Sequence, residues 1–344
     1  MKKFGLLTIA LIMVFSLFGC STDAPAAAQP AAQATTAPAA PKSDKVAISL
    51  GWGENASATR FEQGFKEGLA AVGWEGVFSN ANYDPKLQSE QIDAYIKMNP
   101  KALFLTCSDP AGITAAVGRA VDAGIPVFTA DCYIAGVKTI TQNASNNYGM
   151  GMFNMEYIAK KIEGKGKIGM IGLPNNETWD LRELGARYVL KNYPDITVVY
   201  WPYDSTGAVT PRQAIENMIT ANPDVKAIWC AWDGAAMEGA IAAASAGKNE
   251  VIFTGIDGGE RAFEQIKTGN DGFDLTMAQS VYWMSYMDVM FAKDYMDGKK
   301  TPRFVVAPVY AVTKEVLDAV PSSLTSWDYD KPGFEVKLGW TPVK

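Results

Sequence analysis

"EQIDAYIKMNPKALFLTCSD" (residues 90–109) and "RQAIENMITANPDVKAIWCAWD" (residues 212–233) decide the fold. Each carries a helical pattern, an Asn-Pro stop and an apolar run that ends on an aspartate. After each, a further helix-and-strand unit leads to a second apolar strand ending in Asp, "VFTAD" (127–131) and "FTGID" (253–257). Such self-similarity predicts two units of like construction.

Outward from these stretches, short β-rich runs alternate with longer helical patterns. "KVAISLGWG" (45–53) reads as a strand, and "ATRFEQGFKEGLAAVGW" (58–74) as an amphipathic helix with Phe61, Phe65 and Leu69 on one face. "GVFSNANYD" (76–84), "GKIGMIGLP" (166–174) and "ITVVYWPYD" (196–204) are further strands, each followed by a helical pattern. The alternation predicts βαβ units and an α/β class with parallel sheets. Open parallel sheets hold ligands beyond the carboxyl ends of their strands. Asp131, Asp233 and Asp257 all end apolar strands.

A carboxylate at such a place needs donors, from the next helix or from a ligand. One alone reads as a cap. Three in equivalent places, with Trp232 beside one of them and Trp52 and Trp179 at loop starts, point to a polyhydroxylated ligand. Ionised acids accept pairs of hydroxyl protons, amides such as Asn55 and Gln279 both donate and accept, and flat rings cover C–H faces.

The 344 residues suffice for two domains, and 48% hydrophobic with 20% charged residues supports ordinary cores. With 31 basic against 37 acidic residues and no long basic run, no nucleic-acid footprint exists. The chain has no histidine, which excludes Ser–His–Asp and Cys–His catalysis and imidazole metal sites. "GKGKIG" (164–169) is not a phosphate loop, and "GWGENA" (51–56) lacks the third glycine of a dinucleotide fingerprint. No enzyme, cofactor or metal is expected.

Lys2 and Lys3 precede the apolar stretch Phe4 to Phe18 and "LFGC" (17–20). The pattern is that of an export signal over residues 1–19. Residues 20–43, nearly all Ala, Pro, Thr and Gln after Cys20, read as an extended spacer. Without Lys2 and Lys3 the net charge is 29 minus 37, or −8. Cys107, Cys132 and Cys230 end predicted strands without zinc-type spacing. Free, partly buried thiols are the first expectation, and a Cys107–Cys132 disulfide is the alternative, since their strands are candidate neighbours.

"LFGC" resembles the lipobox of bacterial lipoproteins, in which the cysteine is lipidated. This implies a membrane anchor at Cys20. From Lys45 to Val312 the chain resembles the type I periplasmic sugar-binding proteins that feed ABC transporters. The resemblance is carried by the order and spacing of "KVAISLGWGENASATRFEQGFKEGLAAVGW", "AGIPVFTADC", "ASNN", "IAKKI", "LRELGARY", "ANPDVKAIWCAWDGAAMEGAIAAASAGK", "VIFTGIDGG" and "TMAQSVYWMS". It implies two Rossmann-like doubly wound lobes joined by a three-segment hinge. The amino-terminal lobe is expected over 44–145 and 279–309, and the carboxy-terminal lobe over 146–278 and 310–344. Crossings are expected near Ser145–Asn147, Met277–Gln279 and Pro308–Val312.

The resemblance also implies ligand contacts from Asn55, Asp131, Asn147, Arg182, Asp257 and Gln279, with Trp232 beside Asp233 at the strand-end polar position. Three departures from the family pattern stand out. Its aromatic pair after the first-loop asparagine falls on Ser57 and Ala58, the arginine of ribose-type binders after the first strand-end aspartate is Cys132, and their asparagine before the second-lobe aspartate is Trp232. Trp52, Trp179, Tyr203 and Trp232 are candidates for the lost stacking surface. The implied role is that of a monomer which captures a sugar or polyol and delivers it to an ABC transporter permease. The alternatives are a nucleoside or furanosyl ligand, and presentation to a chemoreceptor or sensor kinase. A sugar-responsive repressor of like architecture is excluded, because an export signal and spacer stand where a helix-turn-helix is needed.

Overall fold

The computed structural model describes residues 43–53, 55–173, 177–203 and 208–343. The expected export signal, the spacer up to residue 42 and the lipidation site Cys20 lie outside them.

The chain runs β1 (Val46–Leu50), α1 (Ala56–Val72), β2 (Gly76–Asn80), α2 (Pro85–Met98), β3 (Leu103–Thr106), α3 (Pro110–Asp122), β4 (Val127–Ala130) and β5 (Thr141–Ala144). It continues with α4 (Asn147–Lys161), β6 (Gly166–Gly172), α5 (Glu177–Leu190), β7 (Ile196–Pro202), α6 (Pro211–Ala221), β8 (Val225–Cys230), α7 (Asp233–Ser245), β9 (Ile252–Asp257), α8 (Glu260–Thr268) and β10 (Phe273–Gln279). The last elements are α9 (Val281–Met296), β11 (Phe304–Val306), β12 (Val309–Thr313), α10 (Lys314–Asp318), a 3₁₀ turn (Ser326–Asp330) and α11 (Phe334–Leu338).

Local chemistry sets the helix starts. Asp84 and Asp109 accept hydrogen bonds from first-turn amides, each with proline at the following position, where its fixed φ suits the helix. Thr210 and Gln213 form a reciprocal capping box at α6. Asn99 of the first Asn-Pro stop adopts a left-handed conformation (φ 49°) and ends α2.

The strands form two six-stranded sheets, β11-β5-β4-β3-β1-β2 and β12-β10-β9-β8-β6-β7. Apart from their edge strands β11 and β12, the two sheets have the same order and are parallel throughout. The repeat in the sequence is therefore a repeat of topology. Both faces of each sheet are covered. In the first, Val46, Ile48 and Leu50 pack with Phe61 and Phe65, while Ala47 faces the opposite layer with Ile92 and Leu103. In the second, Ile228 and Cys230 point to one core and Ala227 and Trp229 to the other.

The chain crosses between sheets three times: from β5 to α4, from β10 to α9, and from β11 to β12. The first two crossings lead from a strand to a helix. The third leads directly from strand to strand through Ala307 and Pro308. Where β11 leaves the first sheet at its carboxyl end, β12 enters the second at that sheet's carboxyl end and must run backwards. β12 is accordingly antiparallel to β10, with Gln279 opposite Val309. The expected α/β class with parallel sheets is present, and β12 is the one antiparallel strand of the second sheet.

The thiol expectation is corrected. Cys107 and Cys132 form a disulfide with their Cα atoms 6.0 Å apart, and Cys230 is free and buried. Their strands β3 and β4 are hydrogen-bonded neighbours, so the two strand ends lie within bridging distance.

Candidate functional site

In an open sheet of this order the strand direction of the crossovers reverses between the first and third strands, leaving a crevice at their carboxyl ends. The predicted site residues lie around these ends and the adjoining crossings.

Arg182 is the centre of the second lobe's share. It is 1% exposed, although it sits in the first turns of α5. Helices α4 and α5 touch through glycine: a Cβ on Gly151 would lie 1.8 Å from the Arg182 carbonyl oxygen, and one on Gly185 would lie 2.0 Å from that of Tyr148. This close approach holds the guanidinium inside. Its Nε donates to Asn147 Oδ1 (2.9 Å), and its Nη1 donates to the Ala231 carbonyl (2.7 Å) and to Asp257 Oδ1 (3.1 Å). Asp257 also accepts from Gln279 Nε2 at 3.0 Å. Thus Asn147 and Gln279, at two crossings, meet Arg182 and the end of β9 in one network.

The backbone turns sharply after β9, with positive φ at Asp257 (141°), Gly258 (83°) and Gly259 (114°). A side chain at Gly258 would meet Ala278 Cβ at 2.6 Å, so this tight turn requires glycine. The turn also gives Asp233 its use. Asp233 Oδ2 accepts from the Gly258 amide and from Thr276 Oγ1, both at 2.7 Å, and the residue is buried. Asp233 was expected beside Trp232 with ligand hydroxyls or hinge donors as partners. Its Oδ2 turns inward and ties the ends of β8, β9 and β10 together, and its Oδ1 is buried without a protein partner. Burial, reinforced by the charge of Asp257, holds it well above the usual carboxylate range.

The first lobe contributes Asp131. It follows β4 in a left-handed conformation (φ 57°), and its amide donates to the Asn143 carbonyl of β5 at 2.7 Å. Its Oδ1 is buried without a protein partner. Burial pushes this acid up to about 7, Arg182 draws it down, and Asp257 adds to the rise. Gln279 Oε1 and Ser145 Oγ, at two crossings, are likewise buried acceptors without partners.

Aromatic side chains gather on the second lobe. The rings of Trp179 and Trp232 stack with centroids 5.2 Å apart and planes 5° from parallel, and Tyr203 packs on Trp232 at 5.2 Å and 52°. Trp52 behaves otherwise. It is half-buried, its indole N–H donates to the Cys107 carbonyl at 2.9 Å, and its ring meets Phe61 edge-on at 5.1 Å. Asn55 caps α1, accepting from the Ala58 amide at 2.9 Å, and its Nδ2 bonds the hydroxyl of Tyr83 at 2.7 Å. Cys132 is held in its disulfide, while its carbonyl accepts from Thr129 Oγ1 at 2.8 Å.

Residues 46–300 match the model of the periplasmic binding protein domain. The chain belongs to that family. A ribose import binding protein of Bacillus subtilis is 25% identical over 324 residues, covering 92% of this chain and all of the relative. A D-apiose import binding protein of Actinobacillus succinogenes is 25% identical over 60% of this chain and 68% of its own length. Among solved structures, a solute-binding protein of Bacillus halodurans with bound myo-inositol superposes with a TM-score of 0.73 at 24% identity, covering 81% of this chain and 97% of that one. One from Actinobacillus succinogenes with bound D-allose gives 0.74 at 22%, covering 80% and 99%. These likenesses establish the fold as that of type I periplasmic binding proteins.

In this periplasmic binding protein, sequence reasoning missed Tyr83. It sits on the loop between β2 and α2, 60% exposed and left-handed (φ 67°), over Gly53 and against Asn55. Partial burial raises its phenol, the Asn55 contact lowers it, and the charge of Asp257 adds a smaller rise. An aromatic after an Asn-rich turn carries no periodic signal. A groove of about 490 Å³ between Tyr157, Asp274 and Lys314 lies at the start of β10, the far end of that strand from Gln279. Its charges are used locally: Lys161 pairs with Asp274 at 3.4 Å, and Lys314 donates to the Lys267 carbonyl at 2.8 Å.

Proposed function

We propose that this protein captures a sugar or polyol between its two lobes and hands it, in the closed form, to an ABC transporter permease. One observation carries the reading. Acceptors without protein partners, Asp131 Oδ1 and Gln279 Oε1, belong to the first lobe and to a crossing, and Gln279 also bonds Asp257 of the Arg182–Asp257 pair. Buried polar atoms are rarely left unmatched, and hydroxyl donors of a polyhydroxylated ligand would satisfy them. The names of the relatives, which import ribose and D-apiose, support the same class. A ligand touching both lobes favours closure by its differential affinity for that state.

The role is binding, not catalysis, and needs no cofactor or metal. The export-signal pattern over residues 1–19 and the lipobox-like Cys20 support an exported, lipid-anchored protein working at the membrane face, which we take to act as a monomer. Radiolabelled palmitate should enter the parent chain and not Cys20→Ala, and light scattering should give one chain per particle.

Thermal-shift screening against D-ribose, D-apiose, D-allose, myo-inositol, xylitol and nucleosides tests the ligand class. A compound at 100 times its dissociation constant adds about 2.7 kcal/mol. Failure of every sugar and polyol to stabilise the chain contradicts the reading. The Trp179–Trp232 stack supports a second ligand class, a nucleoside laid on the indoles, and the same screen decides it.

A further inference from the structure

The carboxy-terminal segment after β12 has no counterpart in the repeat, yet it touches both lobes where the chain crosses between them. Tyr329 is buried in the second lobe's core, its ring 5.5 Å from that of Trp340, and its hydroxyl donates to the carbonyl of Gln279. The next residue faces the first lobe. Asp330 accepts from Arg60 Nη2 at 2.6 Å and Nε at 3.1 Å, and from the Tyr282 amide at 2.9 Å. Arg60 is buried with its guanidinium 4.9 Å from the ring centroids of both Tyr282 and Trp327.

The positions of these partners give the contacts a meaning beyond packing. Arg60 lies in the first turns of α1, whose cap is Asn55, and Tyr282 lies in the first turn of α9, just after Gln279. Asp330 therefore sits between the starts of two first-lobe helices that both begin beside the cleft. Tyr329, one residue away and rooted in the other lobe, holds the backbone of the Gln279 whose side chain bonds Asp257. A buried ion pair with several hydrogen bonds resists separation, because parting it strands charge away from water.

We infer that Tyr329 and Asp330 are positioning residues for ligand capture: they brace the β10–α9 crossing and set the angle between lobes from which the cleft closes. The ligand arm of the test rests on the function proposed above. The brace itself does not.

The test is small-angle X-ray scattering and calorimetry on the full-length parent, Asp330→Asn and Tyr329→Phe. Tyr329→Phe removes one hydroxyl and keeps the ring, so it remains informative should Asp330→Asn fail to fold. Ala243→Gly, in the buried face of α7 and remote from the crossing, serves as a control for loss of stability alone. The expected result is a larger radius of gyration without ligand for both brace variants, and about tenfold weaker binding of whichever of D-ribose, D-allose, myo-inositol or xylitol binds the parent. Ala243→Gly should change neither. Scattering of the unliganded variants identical to the parent overturns the inference, as does an Ala243→Gly chain that behaves like them. Expansion of the brace variants, with no sugar bound by the parent, leaves the brace standing and removes the proposed function.

Discussion

Arg182 and Asp257 are joined at 3.1 Å, but the arginine side chain is 2% exposed and the aspartate side chain 27%. The pair is thus open from one side: the acid is partly accessible, and the guanidinium behind it is held by Asn147 and Ala231. Removing Asp257 leaves a buried cation without its counter-charge. Asp257→Ala should lower stability by about 3 kcal/mol and abolish sugar binding, read by urea unfolding and calorimetry. Retained affinity would place the cleft elsewhere.

Asp131 makes binding depend on pH. In the unliganded fold burial holds its proton up to about 7, against an ordinary value of 3.8. Hydroxyl donors favour the ionised form, so binding releases a proton. Sugar affinity should therefore rise as pH increases towards about 7 and level off above it. Calorimetry in buffers of different ionisation enthalpy should detect the proton, and Asp131→Asn should reduce both the proton release and the slope, with Asp257 supplying any remainder.

The Cys107–Cys132 bridge closes a loop of sequence separation 25 around α3. Chain-entropy arguments assign such a loop about 3.5 kcal/mol of stabilisation. The Cys107→Ser, Cys132→Ser double variant should lose roughly this amount in denaturant unfolding, and a reductant should have no further effect on it. Because Trp52 donates to the Cys107 carbonyl and Asp131 adjoins Cys132, affinity should fall together with stability.

Tyr83 tests the first lobe's wall. Its exposure means that substitution should alter stability by less than about 0.5 kcal/mol. Tyr83→Ala should weaken sugar binding about tenfold, whereas Tyr83→Phe, which keeps the ring and loses the Asn55 contact, should weaken it less. Equal affinity of Tyr83→Ala and the parent excludes the ring from the site.

A buried acid outside the cleft gives a prediction independent of function. Asp288 of α9 has one weak contact, from Asn143 Nδ2 at 3.4 Å, and its Oδ2 has no partner. Burial holds it well above the usual carboxylate range, so the fold binds a proton that the unfolded chain releases. Stability should decline as pH rises above the ordinary carboxylate range. Thermal melting of Asp288→Asn should show a shallower decline, with Asp131, Asp233, Asp257 and Asp330 also contributing.

The paired stretches at 90–109 and 212–233 made the two sheets legible, because each helix, stop and strand is encoded locally and repeated. The strand-end acids were legible for the same reason, but not their directions. Asp233 and Asp257 end neighbouring strands in like sequence settings, and only the tertiary approach of Thr276 and Gly258 turns the first of them inward. Trp52 and Trp232 divide in a similar way, one committed to a backbone carbonyl and the other to a stack. The reversed β12 follows from how the lobes face each other. Tyr83, Tyr329 and Asp330 lie in segments without periodicity, where partners come from residues distant in the chain.

The two edge strands have a consequence for how the protein is made. Phe304 pairs with Gln142, and a few residues later Val309 pairs with Gln279, so both sheets acquire their last strand within one short stretch near the end of the chain. Neither sheet is complete while that stretch is still being synthesised. Such late, long-range closure makes folding slow relative to chains with local contacts. A chain halted before residue 304 would lack an edge strand in both sheets at once.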